Sequence, residues 1–257
     1  MLTLLRTEYR KLLPYRTFWV ILGIFTGLLF LIVRSAASIT INGQTAGPQL
    51  YNFPDIWQRL TYIASYFNLL LGILVIILIT DEYSFRTLRQ QIIDGYFRTD
   101  VIASKLLVLL SIALFATLVV TSLGLGFGVS ATENASAQQI TGNMMYLIYY
   151  FAQTLGYMTL AMFVAFLVKK NGLAIIAFLL YFFVEWIIRF KVDDSVNQYF
   201  PGKVLNSLAP NPTQSLIDSA VGITTTALTP QQAIFPAVLY IVLLVAASYF
   251  LLKSRDL

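Results

Sequence analysis

Six long apolar runs occupy most of the chain, and the polar segments between them alternate between rich and poor in Lys and Arg. A bilayer core of roughly 30 Å needs about 20 apolar residues as a helix. Helices can cross it because they satisfy their own backbone hydrogen bonds. Hydrophobic residues make up 58% and charged residues 11% of the sequence, with a mean hydropathy of +0.76. A soluble chain carries roughly twice that charge. The fold class expected is an all-α membrane protein with six transmembrane helices, forming a single transmembrane domain over 1–257.

Composition also removes chemistry. The chain has no cysteine and no histidine, so it has no thiolate chemistry and lacks the commonest general base and metal ligand. The net charge of +5 is not a nucleic-acid signal, because the basic residues cluster at the ends of the apolar runs. No polar stretch is long enough to bury a separate soluble core.

Residues 1–16 read as a basic interfacial helix. Leu5, Tyr9, Leu12 and Leu13 recur at helical spacing, with Arg6, Arg10 and Lys11 opposite. Pro14 then breaks the helix before a first span at about Phe18 to Val33. A basic start and an apolar run also fit a signal peptide, with Ser35-Ala36-Ala37 as a cleavage mimic. Arg34 abutting the run favours a retained span. The remaining spans are expected at about Leu60 to Thr80, Leu106 to Val129, Met144 to Val168, Leu173 to Arg189 and Ile234 to Leu252. Trp19, Trp57, Tyr62, Tyr146, Tyr149 and Trp186 gather near span ends, where amphipathic rings favour the headgroup layer.

Charge bias sets the expected orientation. Arg6, Arg10, Lys11 and Arg16 precede span one; Arg86, Arg89, Arg98 and Lys105 follow span two. Lys169 and Lys170 follow span four, and Lys253 and Arg255 follow span six. These are twelve of the 17 basic residues. Both termini are therefore expected in the cytoplasm. Asn134-Ala135-Ser136, in an outer loop, fits a glycosylation acceptor, a triplet too common to carry weight.

The connection Asp81 to Lys105 is the most informative polar stretch. Phe85, Leu88, Ile92 and Tyr96 fall on one helical face, with Arg86, Arg89, Gln90 and Asp94 mostly elsewhere and Gly95 as a C-cap. The pattern predicts an amphipathic helix of about 13 residues. It is either a surface linker between two spans or a docking element that lies in a groove on a partner.

Glu82, Thr87-Leu88-Arg89, Gly95, Arg98 and Lys105-Leu106 resemble the cytoplasmic connection of the permease subunits of type-2 ABC exporters. Glu8 and Lys11 in the lead-in are similar to that family, as is the ending Lys253-Ser254-Arg255-Asp256-Leu257. About 40 residues carry the likeness. The sequence departs from the family at Phe85-Arg86, where glycine usually precedes Thr87, and at Tyr96-Phe97-Arg98, which replaces a Pro-x-Ser-Arg turn.

The resemblance implies a multi-pass permease of the cell inner membrane. Two chains, identical or sisters, would form a 12-span pore, and two soluble ABC ATPases bearing ATP and Mg would dock beneath it. It makes 81–100 a cytoplasmic coupling segment, with Glu82, Arg86, Thr87, Arg89, Gln90, Asp94 and Arg98 as the ATPase-docking residues. It makes 190–233 an outer region that re-enters the membrane, where short helices are expected at about Val204 to Leu208 and Thr213 to Val221. An ordinary outer loop is the other reading of that region. The seam between two chains would involve Gly23 and Gly27, although packing within one chain explains that spacing equally. The chain itself carries no G-x-x-x-x-G-K-[ST] loop, since Gly202-Lys203 is followed by Val204. No hydrolysis and no bound cofactor or metal are expected of it.

Polar residues within the spans stay ambiguous at this level. Asn68 and Gln153 either line a translocation path or bond neighbouring helices. Glu185 and Arg189 sit at i and i+4, the spacing of an ion pair, and no second carboxylate accompanies them at depth. That argues against an intramembrane acid–base enzyme acting on lipids. The competing class is a nucleotide-independent channel, carrier or membrane assembly scaffold. Cargo remains open, because lipid-facing and cargo-facing walls have the same composition.

Overall fold

The computed structural model describes residues 2–36, 40–41, 44–45, 50–133, 136–214, 218 and 227–254. The apolar runs become helices. They are α1 (Leu2–Leu12), α2 (Arg16–Ala36), α3 (Ile56–Ser65), α4 (Asn68–Ser84), α5 (Thr87–Ile93), α6 (Arg98–Ala131), α7 (Ala137–Thr141), α8 (Met145–Val168), α9 (Asn171–Arg189), α10 (Asp194–Asn197), α11 (Pro201–Ser207) and α12 (Pro230–Ser254). A two-residue antiparallel pair, β1 (Thr40–Ile41) with β2 (Gln44–Thr45), lies between α2 and α3.

Among the described residues five helices are long and apolar enough to cross a membrane, and a sixth crossing results if the bent pair α3–α4 counts as one. Span two, expected as one straight helix from Leu60, is therefore two helices meeting at 44°. The break has a local cause. Ser65 Oγ donates back to Tyr62 O, and the amides of Tyr66 and Phe67 bond three residues back rather than four. This tighter turn swings the axis.

Helix α8 is the hub. It packs against α3, α4, α6, α9 and α12 and is buried around most of its circumference. The outer helices instead expose apolar side chains, such as Leu180 and Phe183 on α9 and Phe235 and Val242 on α12. Long helices that bury polar residues and expose apolar ones fit a multi-pass membrane protein.

Helix ends follow local chemistry. Pro14 lies in the turn between α1 and α2, as expected. Helix α12 starts at Pro230, ahead of the expected Ile234. The Thr229 hydroxyl accepts from the Gln232 amide and Gln232 Oε1 accepts from the Thr229 amide, a capping box. Helix α11 begins at Pro201, not Val204. Proline at the first helical position loses an amide that has no partner there anyway, and its fixed φ suits the helix.

Of the piece expected at Thr213 to Val221, only Thr213, Gln214 and Asp218 are described. Asn134 and Ala135 of the acceptor triplet lie outside the described residues, as do Ala37 of the cleavage mimic and Arg255, Asp256 and Leu257 of the ending.

Candidate functional site

Four helices bring charged and amide side chains to one end of the bundle. Glu8 and Lys11 come from α1, Glu82 from the last turn of α4, Gln91 from α5 and Lys105 from α6. Lys105 Nζ lies 2.5 Å from Glu8 Oε2 and 2.5 Å from Glu82 Oε1. Lys11 Nζ lies 3.4 Å from Glu8 Oε1 and 3.3 Å from Glu82 Oε1. Gln91 Nε2 donates to Glu8 Oε1 at 3.0 Å. Lys105, Glu8, Gln91 and Glu82 are all buried. Tyr15 beside them donates to Asp81 Oδ2 at 2.6 Å, and a cavity of about 220 Å³ adjoins the cluster, walled by Val75, Leu78 and Val108.

Charges this deep persist only when paired, because desolvation costs several kcal/mol per ion. Burial pushes the Glu8 carboxyl up, but the Lys105 ammonium outweighs it, helped by Lys11 and Gln91. The net result lies below the usual glutamate value. Glu82 Oε2 and Gln91 Oε1 are buried with no hydrogen-bond partner among the described residues.

The cluster fixes how α5 sits. Helix α4 ends at Ser84, and Arg86 then turns the chain with a left-handed backbone, φ 56°. Glycine adopts that conformation at least cost; here arginine holds it. Helix α5 is seven residues long, not about 13. It stops because the Gly95 amide bonds Ile92 O and the Tyr96 amide bonds Gln91 O, a Schellman closure with Gly95 at φ 90°. The short helix divides the apolar face read from the sequence. Leu88 is buried, whereas Phe85 belongs to the turn after α4 and is 75% exposed. Ile93 at 66% and Phe97 at 75% are exposed with it.

The residues grouped for docking therefore separate. Arg86, Arg89, Gln90 and Asp94 are on the surface, with Gln90 Nε2 donating to Asp94 Oδ1 at 2.9 Å. Thr87 is half-buried, its hydroxyl donating to Glu82 O at 3.4 Å. Half-buried Arg98 donates to Lys253 O at 3.2 Å, a cation at the C-terminus of α12. Glu82 points inward into the charge cluster instead of outward. Lys169 completes this end, its ammonium 5.2 Å above the Tyr83 ring.

The other sequence candidates are dispersed. Gly23 and Gly27 lie on the exposed side of α2, and among the described residues nothing beyond the local helix backbone comes within 4 Å of where a Cβ would stand. Gly124 and Gly128 of α6, at the same four-residue spacing, serve packing within the chain, since a Cβ at either would strike the Trp57 or Phe53 ring. Asn68 and Gln153 are both buried; Asn68 Oδ1 accepts from Thr154 Oγ1 at 3.0 Å, joining α4 to α8.

Glu185 does more than pair with Arg189. Arg189 Nη2 donates to its Oε1 at 2.6 Å, and the Gly202 and Lys203 amides donate to its two oxygens at 2.9 and 3.1 Å. The carboxylate thus caps the start of α11, and a Cβ at Gly202 would collide with it.

No curated protein matches the chain. Residues 17–257 match the family described as "Protein of unknown function (DUF2705)", and the chain belongs to that family.

Proposed function

We propose that the protein is the membrane-spanning permease subunit of an ATP-driven exporter, forming half of a translocation pore and docking a separate ABC ATPase that holds ATP and Mg. The reading takes the bundle as six spans, α3–α4 being one, with both termini and the charge cluster on the cytoplasmic side of the cell inner membrane. Helix α1 then lies at the interface, and the region 190–233, between α9 and the body of α12, caps the outer side.

One observation carries the proposal. Helix α5 and the turns on either side of it expose Phe85, Ile93 and Phe97 together with Arg86 and Arg89, and Gln91 on the buried side of α5 bonds Glu8 of the Glu8–Lys105–Glu82 cluster. Exposed aromatic and arginine side chains together are what protein partners bury. A force applied there passes directly to α1, α4 and α6. Gly23 and Gly27 then face a second permease copy or a sister chain, and Asn68 and Gln153 act as packing contacts until the pore opens. The chain hydrolyses no nucleotide by itself.

The test uses the absence of native cysteine. A single cysteine at Gln90 should react with a membrane-impermeant maleimide only after cells are opened, and the chain should co-purify with an ATPase carrying Walker A and ABC signature motifs. Arg86→Glu with Arg89→Glu should abolish that co-purification and export. Labelling of Gln90→Cys in intact cells, or unchanged assembly after both charge reversals, overturns the reading.

A further inference from the structure

At the end of the bundle opposite the charge cluster, a cavity of about 510 Å³ opens where α3 breaks into α4. Its walls are aromatic. Tyr157 and Phe182 stack with centroids 5.1 Å apart, and Tyr62 meets Tyr66 edge-on at 5.3 Å. Lys203, Asn206 and Asn211 supply the polar side.

The hydrogen bonds already made there decide what the cavity can still bind. Asn206 Oδ1 accepts from Tyr157 OH at 2.6 Å. Asn211 Oδ1 accepts from the Thr213 amide at 3.0 Å and hydroxyl at 2.8 Å. The Asn211 oxygen thus accepts two hydrogen bonds and the Asn206 oxygen one, and the two amide nitrogens remain as donors. Lys203 Nζ donates once, to Asn197 Oδ1 at 3.3 Å. Among the described residues it has no carboxylate within ion-pair distance, and no Asp or Glu lines the cavity. The groups that remain are the Lys203 ammonium, which Asp194 lies near without pairing, and two amide N–H groups, beside aromatic rings that carry the mutually bonded Tyr62 and Tyr66 hydroxyls. A cavity of this size with a few convergent polar groups is how small-molecule sites are built.

We propose that this cavity is a binding site for an amphipathic organic anion, with a ring or apolar body against the tyrosines and a carboxylate or phosphate group on Lys203, Asn206 and Asn211. The site stands independently of the exporter reading, because it rests on the cavity and its donors alone.

The probe is 2-naphthoate, measured by equilibrium dialysis against the full chain in phosphatidylcholine nanodiscs, with empty nanodiscs as background. Saturable binding is expected, with neutral 2-naphthamide weaker by about tenfold, the scale of one charge-assisted hydrogen bond. Lys203→Gln should weaken naphthoate by about the same factor and leave the amide unchanged. Lys191→Gln, which alters an exposed lysine outside the cavity, should change neither. Asn206→Leu provides the same reading if Lys203→Gln does not fold. Competition by added phosphatidylglycerol would assign the site to a lipid headgroup, and lack of competition to a free anion; both agree with the proposal. Equal affinity for acid and amide, tighter binding of 2-naphthylmethylammonium, or indifference to both substitutions overturns it.

Discussion

Glu8 and Glu82, far apart in sequence, share the Lys105 ammonium, with Lys11 bridging the same two carboxylates from the more exposed side. Lys105 Nζ stands 2.5 Å from an oxygen of each, so α1, α4 and α6 meet at a single buried cation. Gln91 extends the contact to α5 through Glu8. The arrangement makes α1 part of the bundle end, not a helix held by lipid alone. Tyr9 adds a hydroxyl contact to Ser111 of α6.

Removing the cation should be costly in a diagnostic way. Lys105→Met leaves the two buried carboxylates with only the half-exposed Lys11 ammonium, 3.4 and 3.3 Å away, and breaking a buried pair costs about 3–5 kcal/mol, an upper bound here because Lys11 compensates part of it. The triple variant Glu8→Gln, Lys105→Met, Glu82→Gln should recover most of that loss, because neutral groups of similar shape remove the uncompensated charge. Unfolding in mixed micelles gives both values. A triple variant no more stable than the single one would show that the charges themselves hold the helices together.

Acid should release α1. The Glu8 carboxyl lies below its ordinary value because Lys105 outweighs its burial. A depressed carboxyl stabilises the fold above its unfolded pKa of about 4.3, and that contribution is lost as pH falls through the lower folded value. Spin labels on α1 and α6 should keep their separation from neutral pH down to about 4.3 and part below it. Glu8→Gln should remove this contribution to the transition.

Much of this architecture was legible in the sequence, because a membrane span is a local signal. Arg16–Ala36 and Met145–Val168 sit within a few residues of their expected ranges. The α3–α4 break was not legible, since no proline or glycine marks it; a serine back-bond and two short-range amide bonds do. Glu8, Lys11, Glu82 and Lys105 were visible as charges flanking apolar runs. Their convergence was not, because periodicity places residues on a face of their own helix and says nothing of which helix lies opposite. The length of α5 was misjudged for a related reason. Arg86 and Gly95 both take left-handed backbone, but only glycine signals it in sequence.

That backbone gives a prediction which separates fold from surface. Arg86 holds φ 56°, a conformation that costs a residue with a Cβ roughly 1–2 kcal/mol. Arg86→Gly should therefore stabilise the chain or leave it unchanged, even as it deletes an exposed charge. Thermal unfolding should show no loss, while on the proposed exporter reading co-purification of the ATPase weakens. Destabilisation of the isolated chain would instead give the Arg86 side chain a structural role.

Glu185 holds the start of α11 in the same physical terms as Lys105 holds the opposite end of the bundle. It accepts from two backbone amides and one guanidinium, and its side chain is nearly inaccessible. Glu185→Gln keeps the shape but replaces one accepting oxygen with a donor, which faces an amide proton or the arginine. Hydrogen bonds to charged groups contribute about 1.5–3 kcal/mol each, so a loss of that order is expected. Protection of the Gly202 and Lys203 amides from hydrogen exchange should fall with it, while protection in α8 stays unchanged. Glu185→Asp should do no better, because the shorter side chain cannot reach both amides from α9. If either variant leaves the two amides fully protected, α11 is held by its packing of Val204 and Leu205 into the core and not by the carboxylate.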